Sequence, residues 1–438
     1  MFEIKDQKVK DILWRLHTQG FEVYLVGGAI RDALRHNAYS DYDLATNATP
    51  DQITDLFKED YKLDFVGTTF KVSMLDGIEV ATYRKDIYLE NILLKTEFAK
   101  TIEEDLGRRD LTINSMAVDP FTNELIDPFG GRKDLKRKII RLTGDPVRRI
   151  IEDPLRIFRA CRFLAMTNAR FDTESFMAMR DGIKKGFTVP AERIRIEILK
   201  AMKAKKASKF FRALHNIGAL EEIFPELEDG FEVDGGKYHD ETVFEHNMEV
   251  GDAIPRGNSL LKLAGYLHDI GKPISHLLNC DGSFKRHERE GAKMAKRSLK
   301  ALKFSTMEID FIYNTIYLHM RTLTNEMSDK AVRRLLAKFE DHGVYHKDYL
   351  TLKFADRRGN IKSGPYTEEE ENKMRKRFDI EEPITLRCLK ITGRDLIDEL
   401  GFKAGPPIGE VLRRLRQIVI TDPKMNTRES LLKLAMED

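Results

Sequence analysis

The chain has 438 residues, and its 74 Lys and Arg nearly balance its 72 Asp and Glu, so any nucleic-acid-binding surface must come from local bias rather than bulk charge. No run of about 18 apolar residues occurs, which excludes a transmembrane helix. Cys161, Cys280 and Cys388 lack CxxC spacing and read as reduced thiols, and the charged N-terminus lacks a secretory core; both point to the cytoplasm. The length suggests about three domains.

Residues 1–140 read as mixed α/β. Strand-like pieces are FEVYLVGG, DYDLAT, KLDFVG, FKVSML and GIEVATYR, with helices around Val9–Thr18 and Ala29–Leu34. From about Asp145 the pattern is helical nearly to the end, including ILKAMKAKKASKFFRALHNIG, EGAKMAKRSLKALKF and IGEVLRRLRQIVI. GNIKSGPYTEEEE reads as a loop before the last part.

LVGGAIRDALRHNAYSDYDLA, Leu25 to Ala45, is the first stretch with chemistry in it. Gly27 and Gly28 at a strand-to-helix junction let backbone N–H groups approach a phosphate. Asp41 and Asp43 would share a strand face about 7 Å apart, a spacing suited to Mg²⁺ on a nucleotide's phosphates. Glu79, on the strand GIEVATYR, offers a third carboxylate to that face. In EEDLGRRDLTINSMAVDP, Arg109 suits phosphate or ribose oxygens and Asp110 a ribose hydroxyl; Asp110 could equally be a plain helix cap.

In IEDPLRIFRACRF, Pro154 suits a first helical turn, and Asp153, Arg156, Arg159 and Arg162 recur every three residues along one ridge. A fixed Asp–Arg pair there can mimic a base edge, the carboxylate accepting from the amino group of cytosine or adenine. Surface ion pairing is the plainer alternative. Residues Lys184 to Arg212 carry ten basic side chains against only Glu192 and Glu197, a segment suited to a nucleic-acid backbone or to a solvated helix face.

Together LVGGAIRD, SDYDLAT, EEDLGRRDLTINSMA and EDPLRIFRACRF resemble the successive motifs of the class II tRNA nucleotidyltransferases, the CCA-adding enzymes and their poly(A) polymerase relatives. LKITGRDLIDELGFKAGPPIGEVLRRLRQ and NTRESLLKLA resemble that family's tRNA-contacting C-terminal region. The resemblance implies an α+β protein: a nucleotidyltransferase head with a mixed sheet and polymerase-beta-like palm (1–140), then an all-α neck with the templating helix (141–230), body (231–360) and tRNA-binding tail (361–438). It implies that Asp41 and Asp43 bind Mg²⁺, that Gly28 and Arg31 touch the triphosphate, and that Arg109 and Asp110 hold the ribose. Asp153 and Arg156 would then template CTP and ATP, with Arg159 and Arg162 supporting the nucleotide. The implied reaction is template-independent addition of C and A to the tRNA 3′ end. The chain departs from many CCA-adding relatives in KDIYLENILLKTEFAKTIEEDLG, which lacks the basic run of the loop associated with switching from C to A. CC-only or A-only addition, and poly(A) polymerase activity, are therefore the alternatives.

In the body, KYHDETVFEHNMEV, AGYLHDIGKP and LKFADRRGN give His246, the pair His268-Asp269, and Asp356. Imidazole nitrogens and carboxylates suit a transition metal. A helix end or kink must turn both neighbours inward, and His287 and His319 could widen the site to two metals or be surface residues. The pattern resembles the HD phosphohydrolase superfamily, which implies Ni²⁺, Mn²⁺ or another divalent ion and hydrolysis of terminal or 2′,3′-cyclic phosphates on RNA. A chain acting mainly as such a hydrolase, and a non-enzymatic RNA-binding module, are readings from other classes. The acidic clusters oppose the second, because unpaired carboxylates repel phosphate.

Overall fold

The structure is a computed structural model that describes residues 2–35, 42–66, 72–89, 92–236, 240–322, 324, 326–360, 362, 364–380 and 384–437. The chain divides into two compact units, Met1–Ala219 and Leu220–Asp438.

The first unit is built on a seven-stranded mixed sheet in the order β3-β4-β5-β2-β1-β8-β9. Its strands are β1 (Val23–Val26), β2 (Asp43–Thr46), β3 (Leu63–Val66), β4 (Val72–Leu75), β5 (Ile78–Thr82), β8 (Ala117–Val118) and β9 (Leu125–Ile126); β6 (Arg84–Leu89) and β7 (Ile92–Phe98) form a separate hairpin. Alternation along β1 and β2 explains how the sheet is covered on both faces. Val23, Leu25 and Leu44 face a core that includes Val9, Ile12, Leu13 and Leu16 of the Gln7–Thr18 helix. Their neighbours Val26 and Ala45 face Tyr83, Ile102 and Leu106 on the other side. The helix residues recur at i, i+3, i+4 and i+7, and burying each apolar side chain contributes roughly 1.5–3 kcal/mol. Asp6 caps this helix by accepting from the N–H groups of Lys8 and Val9.

The rest of this unit is mainly helical, apart from a two-residue parallel pairing of Ile139–Ile140 with Arg170–Phe171. The stretch expected as one helix from Ile198 is two, Ala191–Ala201 and Ser208–Asn216, with turns between them. Buried Ala204 and Ala207 direct the turn inward while Lys203, Lys205 and Lys206 face solvent. The second unit is helical. There the loop expected through TEEEE ends earlier, because four glutamates open the Glu368–Ile380 helix, where negative charge favours the N-terminus.

Candidate active site and candidate metal centre

β1 and β2 pair antiparallel with Val26 opposite Asp43, and β2 and β5 pair parallel with Asp43 opposite Glu79. The two carboxylates are therefore register neighbours on one face. Gly27 follows Val26 with φ +75, and a Cβ there would come 2.7 Å from Asp43 Oδ2. Glycine is required on both counts, conformation and space. Asp41 lies outside the described residues; β2 begins at Asp43.

A pocket of about 480 Å³ lies over this face. Gly27, Gly28, Arg31, Asp43, Glu79, Arg109, Asp110, Asp153, Arg156 and Arg159 all line it, so the structure brings together most of the nucleotide-site residues singled out from the sequence. Seven arginines against four carboxylates make the lining cationic. Arg31 is held by Asn114 Oδ1 at 2.8 Å and by Asp32, and its guanidinium lies 4.9 Å from the centroid of Phe163. Arg108 and Arg109 share buried Asp105, at 2.9 and 3.3 Å. Burial opposes ionisation of Asp105, yet the two guanidiniums keep its carboxyl below the usual range.

Asp110 is not a simple helix cap. One oxygen accepts from Leu111 N and Asn114 Nδ2, and the other from Arg159 Nε at 2.7 Å. Burial works against its charge, and Arg159 with these donors holds its carboxyl low.

Two expectations on the Leu155–Thr167 helix need correction. Asp153 and Arg156 do not form a side-chain pair. Arg156 donates to Glu152 Oε2 at 2.9 Å and to the carbonyls of Arg149 and Arg108, because the helix starts two residues after Asp153 and turns Arg156 back toward the preceding helix. Asp153 instead bonds Arg193 of the Ala191–Ala201 helix at 3.1 Å. Arg162 does not line the pocket; buried Glu197 takes it, and it stacks on Phe163 at 4.0 Å. Asn114, Glu152, Arg193 and Glu197 were missed in sequence. The sole signal was Glu197, one of two acids in a lysine-rich stretch, which is buried here.

Comparison with known proteins accords with this geometry. Residues 23–141 match the poly A polymerase head domain, residues 170–231 an RNA and SrmB-binding site of polymerase A, and residues 290–435 tRNA nucleotidyltransferase domain 2. These matches place the chain among the nucleotidyltransferases. Poly(A) polymerase I of Haemophilus influenzae is 38% identical over 232 residues, covering 50% of this chain and 51% of that one, so the match spans about half that relative's length. The CCA-adding enzyme of Ligilactobacillus salivarius is 28% identical over 98% of this chain and 96% of its own. The Bacillus stearothermophilus CCA-adding enzyme solved in complex with CTP shares the fold, with a TM-score of 0.71 at 23% identity over 98% of this chain and 96% of that one. The head thus matches the poly A polymerase head domain family, and over nearly its whole length the chain is similar to CCA-adding enzymes.

The second unit holds the histidine cluster. The Ser259–Leu267 helix ends just before His268-Asp269, and that end turns both side chains inward. His246 sits on the Val243–Ala253 helix and Asp356 on the His346–Gly359 helix. His287 and His319 are buried, not surface residues; they sit at the start of one helix and the end of another.

Each histidine presents Nδ1 to an acceptor: Gly359 O for His246, Gly265 O for His268, Phe284 O for His287 and Ile316 O for His319. A carbonyl can only accept, so each Nδ1 carries a proton, and in the neutral ring each Nε2 offers a lone pair. Those lone pairs converge on carboxylates. His246 Nε2 is 3.2 Å from Asp356 Oδ1 and 3.7 Å from Asp269 Oδ2, and His268 Nε2 is 3.5 Å from Asp269 Oδ2. On the other side of the same carboxylate, His287 and His319 Nε2 lie 3.0 and 3.3 Å from Asp269 Oδ1 and 3.2 Å from each other.

Electron pairs facing one another at such distances need a positive charge between them. At His246 the carboxylates of Asp356 and Glu241 outweigh burial and raise the pKa to about 9, so a cation binding at Nε2 would displace a proton there. Burial pushes His268 down to about 3, leaving it neutral, and its Nε2 has no hydrogen-bond partner among the described residues. Ligand atoms about 3–3.5 Å apart match the edges of a first coordination shell with bonds near 2.1 Å. His246, His268 and Asp269 form one such triad, and Asp269, His287 and His319 form another. The donor set fits one or two divalent transition metals.

Proposed function

We propose that this chain adds C and A to the 3′ end of tRNA from CTP and ATP without a nucleic-acid template. The juxtaposition of Asp43 and Glu79 across β2 and β5, under Gly27 and beside the arginine-rich pocket, carries this reading. Asp43 with Asp41 and Glu79 would hold Mg²⁺, which when bound lowers the pKa of the RNA 3′-hydroxyl and neutralises the leaving pyrophosphate. The residues of the chain do the positioning. Arg31 and Arg109 hold the triphosphate, Asp110 accepts from a ribose hydroxyl, and the Asp153 carboxylate meets the exocyclic amino group of C or A. The bond from the 3′ oxygen to the α-phosphorus forms as the bond to pyrophosphate breaks. Transcripts of tRNA ending before CCA, after C and after CC, supplied with CTP and ATP separately, test the reading. Extension by C, C and A in turn is expected. Unlimited A addition to RNA of any shape would indicate a poly(A) polymerase, stalling would indicate a CC- or A-adding enzyme, and no extension at all would refute transfer. A tRNA substrate agrees with the cytoplasmic location expected from the sequence.

The histidine cluster favours a second activity, a metal-dependent phosphohydrolase acting on terminal or 2′,3′-cyclic phosphates of RNA. Water's oxygen joins phosphorus, the ester P–O bond breaks, and the departing hydroxyl takes water's proton. Opening of the cyclic ester to a monoester, or release of phosphate from a terminal monoester, with Mn²⁺ or Ni²⁺, abolished by Asp269→Asn and unchanged by Asp43→Asn, is the expected result.

A further inference from the structure

Six of the seven arginines lining the nucleotide pocket are tied to an acid. Arg31 pairs with Asp32, Arg108 and Arg109 with Asp105, Arg156 with Glu152, Arg159 with Asp110 and Arg193 with Asp153. Arg84 is the exception. Among the described residues its guanidinium has neither an ion pair nor a hydrogen bond, and its Nε is buried without a partner. Only its backbone N–H is bound, to Asp105 Oδ1 at 3.2 Å. The acids whose charge reaches it have other places: Asp86 accepts from Thr96 Oγ1 at 2.8 Å, Asp105 holds two other arginines, and Glu79 lies opposite Asp43. Burial and the neighbouring Arg108 push its pKa below the ordinary arginine value, yet a guanidinium stays charged in a protein. A half-buried cation without a counter-charge is costly, and an arriving anion removes that cost.

The sheet indicates which anion. The order β5-β2-β1 puts Glu79 on one side of Asp43 and the glycine pair on the other. On the glycine side, Arg109 Nη1 and Arg31 Nη2 lie 3.5 Å from where a Cβ would stand on Gly27 and Gly28 respectively, which makes that flank the cradle for a triphosphate. Arg84 opens β6, the second residue past the end of β5, and belongs to the Glu79 flank. In-line displacement at the α-phosphorus sets the attacking and departing oxygens on opposite sides. A cation on the flank away from the cradle therefore meets the strand that brings the attacking hydroxyl.

We propose that Arg84 holds the last phosphodiester of the RNA acceptor strand, so that the 3′-hydroxyl approaches Asp43 and Glu79 from the side opposite the glycine pair. The inference rests on the nucleotidyl-transfer reading and deepens it, naming the residue that seats the attacking strand.

The full chain with Mg²⁺ would extend tRNA transcripts ending before CCA and after CC, with CTP and ATP respectively. Each transcript would carry either a natural or an uncharged methylphosphonate last linkage. Arg84→Met should raise KM for the natural tRNA about tenfold and leave kcat and KM for the triphosphate unchanged, without lowering Tm. The log–log salt dependence of tRNA binding should become shallower by about 0.7, the loss of one phosphate contact to a single strand. The methylphosphonate should weaken the wild type by the same factor and the variant no further. Arg84→Lys, which keeps the charge, should restore most of the affinity. A raised KM for the triphosphate with KM for tRNA unchanged would assign Arg84 to the cradle and overturn the proposal, as would an equal methylphosphonate penalty in wild type and Arg84→Met. If the wild type extends neither transcript, the transfer reading fails by itself. Fluorescence anisotropy with the two CC-ended tRNAs then decides the inference: a wild-type preference for the charged linkage that vanishes in Arg84→Met upholds it, and equal preference in both proteins refutes it.

Discussion

The carboxylate of Asp153 is bonded to Arg193, forty residues on in the Ala191–Ala201 helix, while Arg156 is spent on Glu152 and on the carbonyls of Arg108 and Arg149. An acid and a guanidinium facing the same pocket can meet both halves of a base edge, and a good bidentate contact is worth about 1–3 kcal/mol of discrimination. Arg193→Ala should therefore lower kcat/KM for CTP and ATP by about tenfold or more and narrow their advantage over UTP and GTP, with little change in Tm. Arg156→Ala should instead lower Tm, because two part-buried carbonyls and Glu152 lose their donor. Incorporation kinetics with the four triphosphates, alongside melting curves, separate the two roles.

Replacing Asp43 by Asn keeps the shape of the pocket and removes a charge beside Glu79. Nucleotide incorporation should fall by about 10³-fold or more at unchanged Tm. Single-turnover extension of a tRNA ending in CC, at several Mg²⁺ concentrations, is the measurement; activity within tenfold of wild type would remove Asp43 from the mechanism.

Gly27→Ala sets a methyl group against Asp43 Oδ2 and places alanine at φ +75. A cost of about 1–3 kcal/mol is expected, together with loss of extension, since the carboxylate has to move. Gly218, also at positive φ but with nothing near its missing Cβ, is the control: alanine there should cost stability and leave extension intact.

Much of this was legible in the sequence, and the limits have a physical pattern. Alternating apolar residues and the glycine pair located β1, β2 and β5, so Asp43 and Glu79 could be placed on one sheet face. Arg193, Asn114 and Glu197 could not be assigned, because their roles come from helices packing side by side, which no local periodicity encodes. The ridge of Asp153, Arg156, Arg159 and Arg162 was read as one face, but each side chain follows its own nearest partner. His287 and His319 looked ambiguous because they occupy helix ends, where periodicity gives no indication of burial.

Acid should loosen the first unit through Asp105 and Asp110. Both carboxyls are held below their ordinary range in the folded state, so the stabilisation is complete above the unfolded value of about 3.9 and is lost as pH falls through the folded one. Urea melts between pH 2.5 and 6 should show stability falling below about pH 4. Asp110→Asn should flatten that limb and cost about 2–3 kcal/mol at neutral pH, because Arg159 is left without its carboxylate.

Metal content offers a separate check on the second unit. Elemental analysis after dialysis against Mn²⁺ or Ni²⁺ should find one or two ions per chain, and Asp269→Asn should release all of them, since that carboxylate serves both histidine groups. Chelation should lower the Tm of the wild type by several degrees and leave Asp269→Asn unmoved.

Asp105 does more than gather two arginines. It also accepts from the N–H of Arg84, the first residue of the β6–β7 hairpin, at 3.2 Å. The root of that hairpin and the guanidiniums of Arg108 and Arg109 thus hang from one carboxylate pivot. Any displacement of the hairpin root would have to break the Arg84 N–H bond or carry this carboxylate with it, and with the carboxylate the two cations of the pocket wall.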